Sequence, residues 1–305
     1  MSKISTLFLC LLLSVCGLAQ KEDSFAALSI SSPDKVLSFN TNIADSSHDN
    51  FQLVGGLVFV EGIMEGEAVK FILDTGSPGL ILNKKPKKHS EQYIAAGLTG
   101  NTSIGETVIS ELKILNITKS NFTAYQMDLA HIENEILHKF DGLIGGDVFS
   151  EGILYLDYEN KKWAIKEEIP SDEKLLEISF EMVEHFLVLK IDIDNVERRF
   201  VMDTGAEINL MDEKVFRALN NSMIKSSSEL AIQGASQENI GSPCAVIDAI
   251  YLNDTKFNDQ TFSIIDFAFI NEGLDEPFHG LIGFPFFEDK KIAFDFKTEK
   301  IYLWE

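Results

Sequence analysis

The phrase Phe71-Ile72-Leu73-Asp74-Thr75-Gly76-Ser77 returns later in the chain as Phe200-Val201-Met202-Asp203-Thr204-Gly205-Ala206. Each copy is an apolar run ending in Asp-Thr-Gly, a tripeptide expected by chance only roughly 0.05 times in a chain of this length at average residue usage. The likeness extends past the motif. Phe140-Asp141-Gly142-Leu143-Ile144-Gly145 is matched by Phe278-His279-Gly280-Leu281-Ile282-Gly283, and Tyr155-Leu156-Asp157-Tyr158 by Ala293-Phe294-Asp295-Phe296. The same spacing of 138 residues separates Gly142 from Gly280 and Asp157 from Asp295. The chain therefore reads as a tandem duplication of one module with small gains and losses in the loops.

Period-two alternation of apolar residues, broken by Gly, Asn and Asp turns, runs through both modules. Leu57 to Val60 opens a strand-rich stretch, Gly66-Glu67 turns it, and Val69, Phe71 and Leu73 alternate into Asp74; Phe186 to Ile191 and Arg199 to Met202 repeat this hairpin before Asp203. Helical patterning is short, best at Lys214 to Leu219. Charge, Pro and Ser interrupt the strand pattern at residues 167–172. The expected organisation is residues 1–19 as a signal peptide, 20–47 as a leader or pro-segment, 48–170 as one β-rich lobe and 171–305 as the other.

The first 19 residues carry Lys3, an apolar centre from Leu7 to Val15 and a small-residue cleavage site at Gly17-Leu18-Ala19, the pattern of a secretory signal. The expected location is periplasmic or extracellular. A lipoprotein signal with Cys16 acylated is a competing reading, which the bulk of Val15 disfavours. No later apolar run has the ~18 residues a transmembrane helix needs. Only Cys244 follows the signal, so no internal disulfide is available and stability must come from burial. A formal charge of −22 disfavours nucleic acid and anionic membrane surfaces as partners. The six histidines show no His-Glu-x-x-His spacing, and neither a metal nor a cofactor is expected.

An apolar strand ending in Asp-Thr-Gly places a carboxylate at a sharp turn. The apolar residues anchor the strand, Asp supplies an acid or base, and Gly76 or Gly205 permits a backbone turn that a Cβ would hinder. The hydroxyls of Thr75 and Thr204 can bond across to the partner loop. Two carboxyls held close share a proton, so one can draw a proton from water while the other donates to a carbonyl oxygen. Ser77 can donate to Asp74 whereas Ala206 offers Asp203 nothing, an asymmetry that favours charge on Asp74 and the shared proton on Asp203.

These motifs resemble the clan of pepsins and retropepsins: Asp-Thr-Gly twice, each followed by Leu-Ile-Gly, at 143–145 and 281–283. Asp-Thr-Gly-Ala at 203–206 is similar to retropepsins, and the whole is similar to exported bacterial aspartyl-protease-like proteins in which two modules form a single-chain pseudodimer. The resemblance implies a mainly β fold, with two acid-protease-type β-barrel lobes and an active site in the cleft between them. It implies Asp74 and Asp203 as the catalytic pair, Thr75 and Thr204 as an interlobe tie, and Leu-Ile-Gly strands that buttress the catalytic loops. Gly76, Ser77, Gly205 and Ala206 complete the active-site loops. It also implies a hairpin flap over the substrate, for which Gly97, Leu98, Thr99 and Gly100 in one module, or Gly234 and Ala235 in the other, are candidates. The implied activity is aspartic endopeptidase cleavage of peptide or protein substrates by a monomer. The alternative is a catalytically inactive peptide-binding or surface scaffold protein with the same fold.

Overall fold

The computed structural model describes residues 49–85, 92–97, 100–169, 175–233, 239–268 and 270–304. The first half runs β1 (Asp49–Asn50), β2 (Gln52–Val54), β3 (Leu57–Met64), β4 (Glu67–Leu73), β5 (Leu80–Asn83), β6 (Gln92–Gly97), β7 (Gly100–Ile114), β8 (Ile117–Met127), α1 (Ala130–Ile136), β9 (Gly142–Ile144), β10 (Ile153–Asp157) and β11 (Lys162–Lys166). The second half repeats much of this order. It contains β12 (Leu175–Val183), β13 (Phe186–Ile193), β14 (Val196–Met202), β15 (Asn209–Asp212), α2 (Glu213–Ala218), β16 (Ile224–Gln233), β17 (Asn239–Leu252), β18 (Thr255–Ile265), β19 (Gly280–Ile282), α3 (Phe284–Phe287), β20 (Lys291–Asp295) and β21 (Lys300–Trp304).

Each half closes a six-stranded barrel. In the N-terminal lobe the order is β3-β4-β9-β5-β8-β7, with β3 returning to β7; in the C-terminal lobe it is β13-β14-β19-β15-β18-β17, with β13 returning to β17. Closure leaves few free sheet edges. A central sheet, β1-β11-β10-β20-β21-β12, joins the lobes from below. Its middle pair is antiparallel and symmetric: Ile153 faces Asp295, and Asp157 faces Lys291.

Alternation explains how the motif strands are held. Phe71 and Leu73 point into the large cluster shared by both lobes, and Ile72 into a second cluster inside the N-terminal lobe. Phe200 and Met202 enter the shared cluster likewise, and Val201 a third cluster in the C-terminal lobe. Burial on both faces removes the usual polar positions, which is why each phrase reads as a continuous apolar run. All six of these side chains are at most 1% exposed.

The expected mainly β, two-lobed architecture is observed. Helix α2 falls where the short pattern at 214–219 placed it, with Asp212 Oδ1 capping the Lys214 amide at 2.9 Å. Helices α1 and α3 were not foreseen, being only seven and four residues long. Asp157 and Asp295 pin the turns after their strands, accepting from Asn160 N at 2.9 Å and Lys297 N at 3.0 Å. Cys244 is a buried strand residue. The expected signal and leader at 1–19 and 20–47 lie outside the described residues, as do residues 170–172 of the junction expected at 167–172. No helix among the described residues is long and apolar enough to cross a membrane.

Candidate active site

Strands β4 and β14 end at the same place in their lobes, each with a short parallel neighbour. Leu73 pairs with Ile144 of β9, and Met202 with Ile282 of β19. The ladder extends one step into the loop, since Asp74 N donates to Ile144 O at 3.0 Å and Asp203 N to Ile282 O at 2.9 Å. The Leu-Ile-Gly strands thus stand beside the two Asp loops as the resemblance implied.

The loops meet through their threonines. Thr75 Oγ1 accepts from Thr204 N at 3.0 Å and donates to Met202 O at 3.1 Å; Thr204 Oγ1 accepts from Thr75 N at 3.1 Å and donates to Leu73 O at 2.9 Å. Four buried polar groups of the backbone are thereby bonded to the opposite lobe. This two-way tie fixes the separation of the loops and so of the carboxyls they carry.

Asp74 and Asp203 are both 0% exposed. Gly76 N is shared between them, at 2.9 Å from Asp74 Oδ1 and 3.2 Å from Asp203 Oδ1. Gly205 N donates to Asp203 Oδ1 at 2.7 Å, and Ser77 Oγ donates to Asp74 Oδ2 at 2.5 Å. Asp203 Oδ2 has no donor among the described residues. Burial raises the pKa of Asp203 well above the ordinary carboxylate range, and the adjacent Asp74 raises it further. Burial also raises Asp74, opposed by the Ser77 hydroxyl. The two act as one proton-sharing pair.

Residues 189–286 match the family model described as aspartyl protease. Over these residues the chain is similar to that family. The match includes Asp203 and the Leu281-Ile282-Gly283 strand; the Asp74 loop lies outside it. The two closed barrels are consistent with a two-lobed architecture of the acid-protease type. No curated protein matches the chain.

The geometry of the two loops corrects the reading of the motif glycines. Neither Gly76 nor Gly205 has a positive φ. Glycine is required there by close approach instead: a Cβ on Gly76 would lie 2.6 Å from Asp203 Oδ2, and one on Gly205 2.5 Å from Asp74 Cγ. Each loop leaves out a side chain to admit the other lobe's carboxyl.

Several contributors escaped the sequence reading. Asp147 accepts from Gly79 N at 2.8 and 3.0 Å, bracing the turn after the first motif. Its repeat position holds Pro285, and there Asn209 Oδ1 accepts from Gly283 N at 2.8 Å. Tyr158 stacks on Phe287 at 5.8 Å, and its buried hydroxyl has no partner among the described residues. It lies near enough for Asp203 to raise its pKa further, after burial. Glu207, four residues beyond Asp203, carries a carboxyl pushed up to about 8 by burial and by Glu135 of α1. Buried His185 packs its ring on Phe186 with the centroids 3.9 Å apart, and burial lowers its pKa to about 3.

Of the flap candidates, Gly97 pairs with Gly100 where β6 meets β7. Leu98, Thr99, Gly234 and Ala235 lie outside the described residues. His279 accepts on Nδ1 from Arg199 N at 3.0 Å.

Proposed function

We propose that this protein is an aspartic endopeptidase in which Asp74 and Asp203 activate water against a peptide bond. The observation that supports this most is the shared Gly76 amide between two fully buried carboxyls, one of them strongly biased toward its protonated form. The ionised Asp74 takes a proton from water, the resulting hydroxide adds to the carbonyl carbon, and Asp203 gives its proton to the carbonyl oxygen. Collapse of the tetrahedral diol returns a proton to one carboxylate and delivers one to the leaving nitrogen. Extended peptide segments are the substrates.

Export by residues 1–19 and a monomeric state belong to the same proposal, because both lobes of the site come from one chain. Sequencing the mature N-terminus and measuring mass in solution test these two points. The decisive experiment is a peptide-library digest from pH 3 to 7.5, read by mass spectrometry beside Asp74→Asn and Asp203→Asn. Cleavage lost in both variants supports the paired mechanism. Absence of cleavage by folded, processed protein transfers the fold to peptide binding without hydrolysis.

A further inference from the structure

Each Asp-Thr-Gly loop runs on into a segment that leans on its Leu-Ile-Gly strand, and the two segments are held by different chemistry. In the C-terminal lobe Phe284 N donates to Ala206 O at 2.8 Å, and Asn209 Oδ1 accepts from Gly283 N at 2.8 Å. Asn209 is 1% exposed and gives its own amide to Thr261 O at 3.0 Å, so this brace is uncharged and comes from the loop side. In the N-terminal lobe Leu80 stands at the repeat position of Asn209 and offers no side-chain acceptor. The brace there comes from the opposite direction: both carboxyl oxygens of Asp147, beyond β9, accept from Gly79 N, at 2.8 and 3.0 Å. Pro285, at the repeat position of Asp147, has nothing to accept with.

The segment that Asp147 holds is the one that carries Ser77. Gly79 has a φ of +56°, and glycine adopts either sign of φ readily, so the Pro78–Gly79 peptide unit can turn over unless its amide is held. The segment lies flat on the strand end, since Gly145 N donates to Gly79 O at 2.7 Å and a Cβ on Gly145 would stand 2.3 Å from Ser77 O. Two residues before Gly79, the Ser77 hydroxyl donates to Asp74 Oδ2 at 2.5 Å. Ala206 has no hydroxyl to aim, so only the N-terminal segment needs this precision.

We propose that Asp147 is a positioning residue: its carboxyl clamps the Gly79 amide, fixes the segment from Ser77 to Gly79, and so keeps the Ser77 hydroxyl on Asp74. This rests on the peptidase reading for its effect on turnover, but not for its effect on the Asp74 carboxyl. The clamp is one-sided, as the replacement of Asp147 by proline in the repeat requires.

The test compares Asp147→Ala, which removes the acceptor, with Asp147→Asn, which keeps one acceptor oxygen and removes the charge. Carboxyl-carbon NMR follows Asp74, and peptide cleavage gives kcat and KM. The Ala variant should titrate Asp74 at higher pH and lose about tenfold in kcat at nearly unchanged KM. The Asn variant should recover most of both. Asp74, Asp203, Lys119 and Glu151 are the other charged groups around the clamp, and the Asn variant separates the loss of the Asp147 charge among them from the loss of its hydrogen bond. In Ser77→Ala, adding Asp147→Ala should displace the Asp74 titration little further, because the clamp acts through that hydroxyl.

An Ala variant that is merely less stable, with Asp74 titration and kcat unchanged, would overturn the proposal. So would equal shifts in the Ala and Asn variants, which would assign the effect to charge, or full additivity with Ser77→Ala. If the wild type cleaves nothing, a displaced Asp74 titration in the Ala variant still supports the clamp while the peptidase reading fails. If the Ala variant does not fold, amide NMR of the wild type decides. A Gly79 amide protected from solvent exchange, whose proton shift follows the Asp147 titration, supports the clamp, and a freely exchanging one sinks it.

Discussion

Gly205 stands so close to Asp74 that a Cβ on it would lie 2.5 Å from the carboxyl carbon of the opposite lobe. Gly205→Ala should therefore separate the loops rather than stiffen one of them. The expected cost is about 1–3 kcal/mol of stability, as for overpacking in a dense interior, together with loss of cleavage. Urea unfolding and a peptide assay on the same preparation measure both; a fully active Ala variant would contradict the close-approach argument.

The threonine tie predicts a graded pair of variants. Thr75→Val leaves Met202 O and Thr204 N buried without their hydroxyl partner, at a cost of about 2–4 kcal/mol. Thr75→Ser keeps the hydroxyl and should stay within about 1 kcal/mol of the wild type. Chemical denaturation of both variants gives the comparison, and equal losses would mean the methyl matters more than the hydrogen bonds.

Ser77→Ala removes the hydroxyl that lowers Asp74 against its burial. Asp74 then ionises at higher pH, so the acid limb of the pH–rate profile should move upward. An unmoved limb would remove the support for Asp203 as the preferred proton carrier.

Glu207 makes a prediction about stability alone. Its folded pKa of about 8 lies above the ordinary glutamate value of 4.5, so the folded state holds this proton more tightly than the unfolded one. The associated stability is complete below the unfolded value and is lost as pH rises through about 8. Glu207→Gln cannot lose a proton, and its melting temperature should fall less than the wild type's between pH 5 and 8.

At Tyr158 the hydroxyl is buried without a partner among the described residues, and the corresponding residue of the other half is Phe296. Tyr158→Phe should be neutral or stabilising by up to about 1 kcal/mol, because an unsatisfied polar atom is removed and the stacking ring kept. Marked destabilisation, measured by thermal unfolding, would show that the hydroxyl has a partner in solution.

Much of the molecule was open to reading from the chain itself, for local reasons. An apolar run ending in Asp-Thr-Gly is a property of seven consecutive residues, and its return 129 positions later needed no knowledge of the fold. Alternation gave the strands, and matched Leu-Ile-Gly segments gave the neighbours of the two Asp loops. Helices α1 and α3 were missed because a turn or two of helix leaves almost no periodicity to detect.

The tertiary structure alone decided which atoms face each other across the cleft. The threonine and carboxyl contacts join residues 127 to 131 positions apart, and their direction depends on how two barrels seat on a common sheet. Sequence could pair Gly76 with Gly205 as equivalents, but not reveal that each makes room for the other's carboxyl partner. Repetition makes two halves alike in backbone, and the side chains that break the likeness act only where the folded lobes bring them within hydrogen-bonding distance.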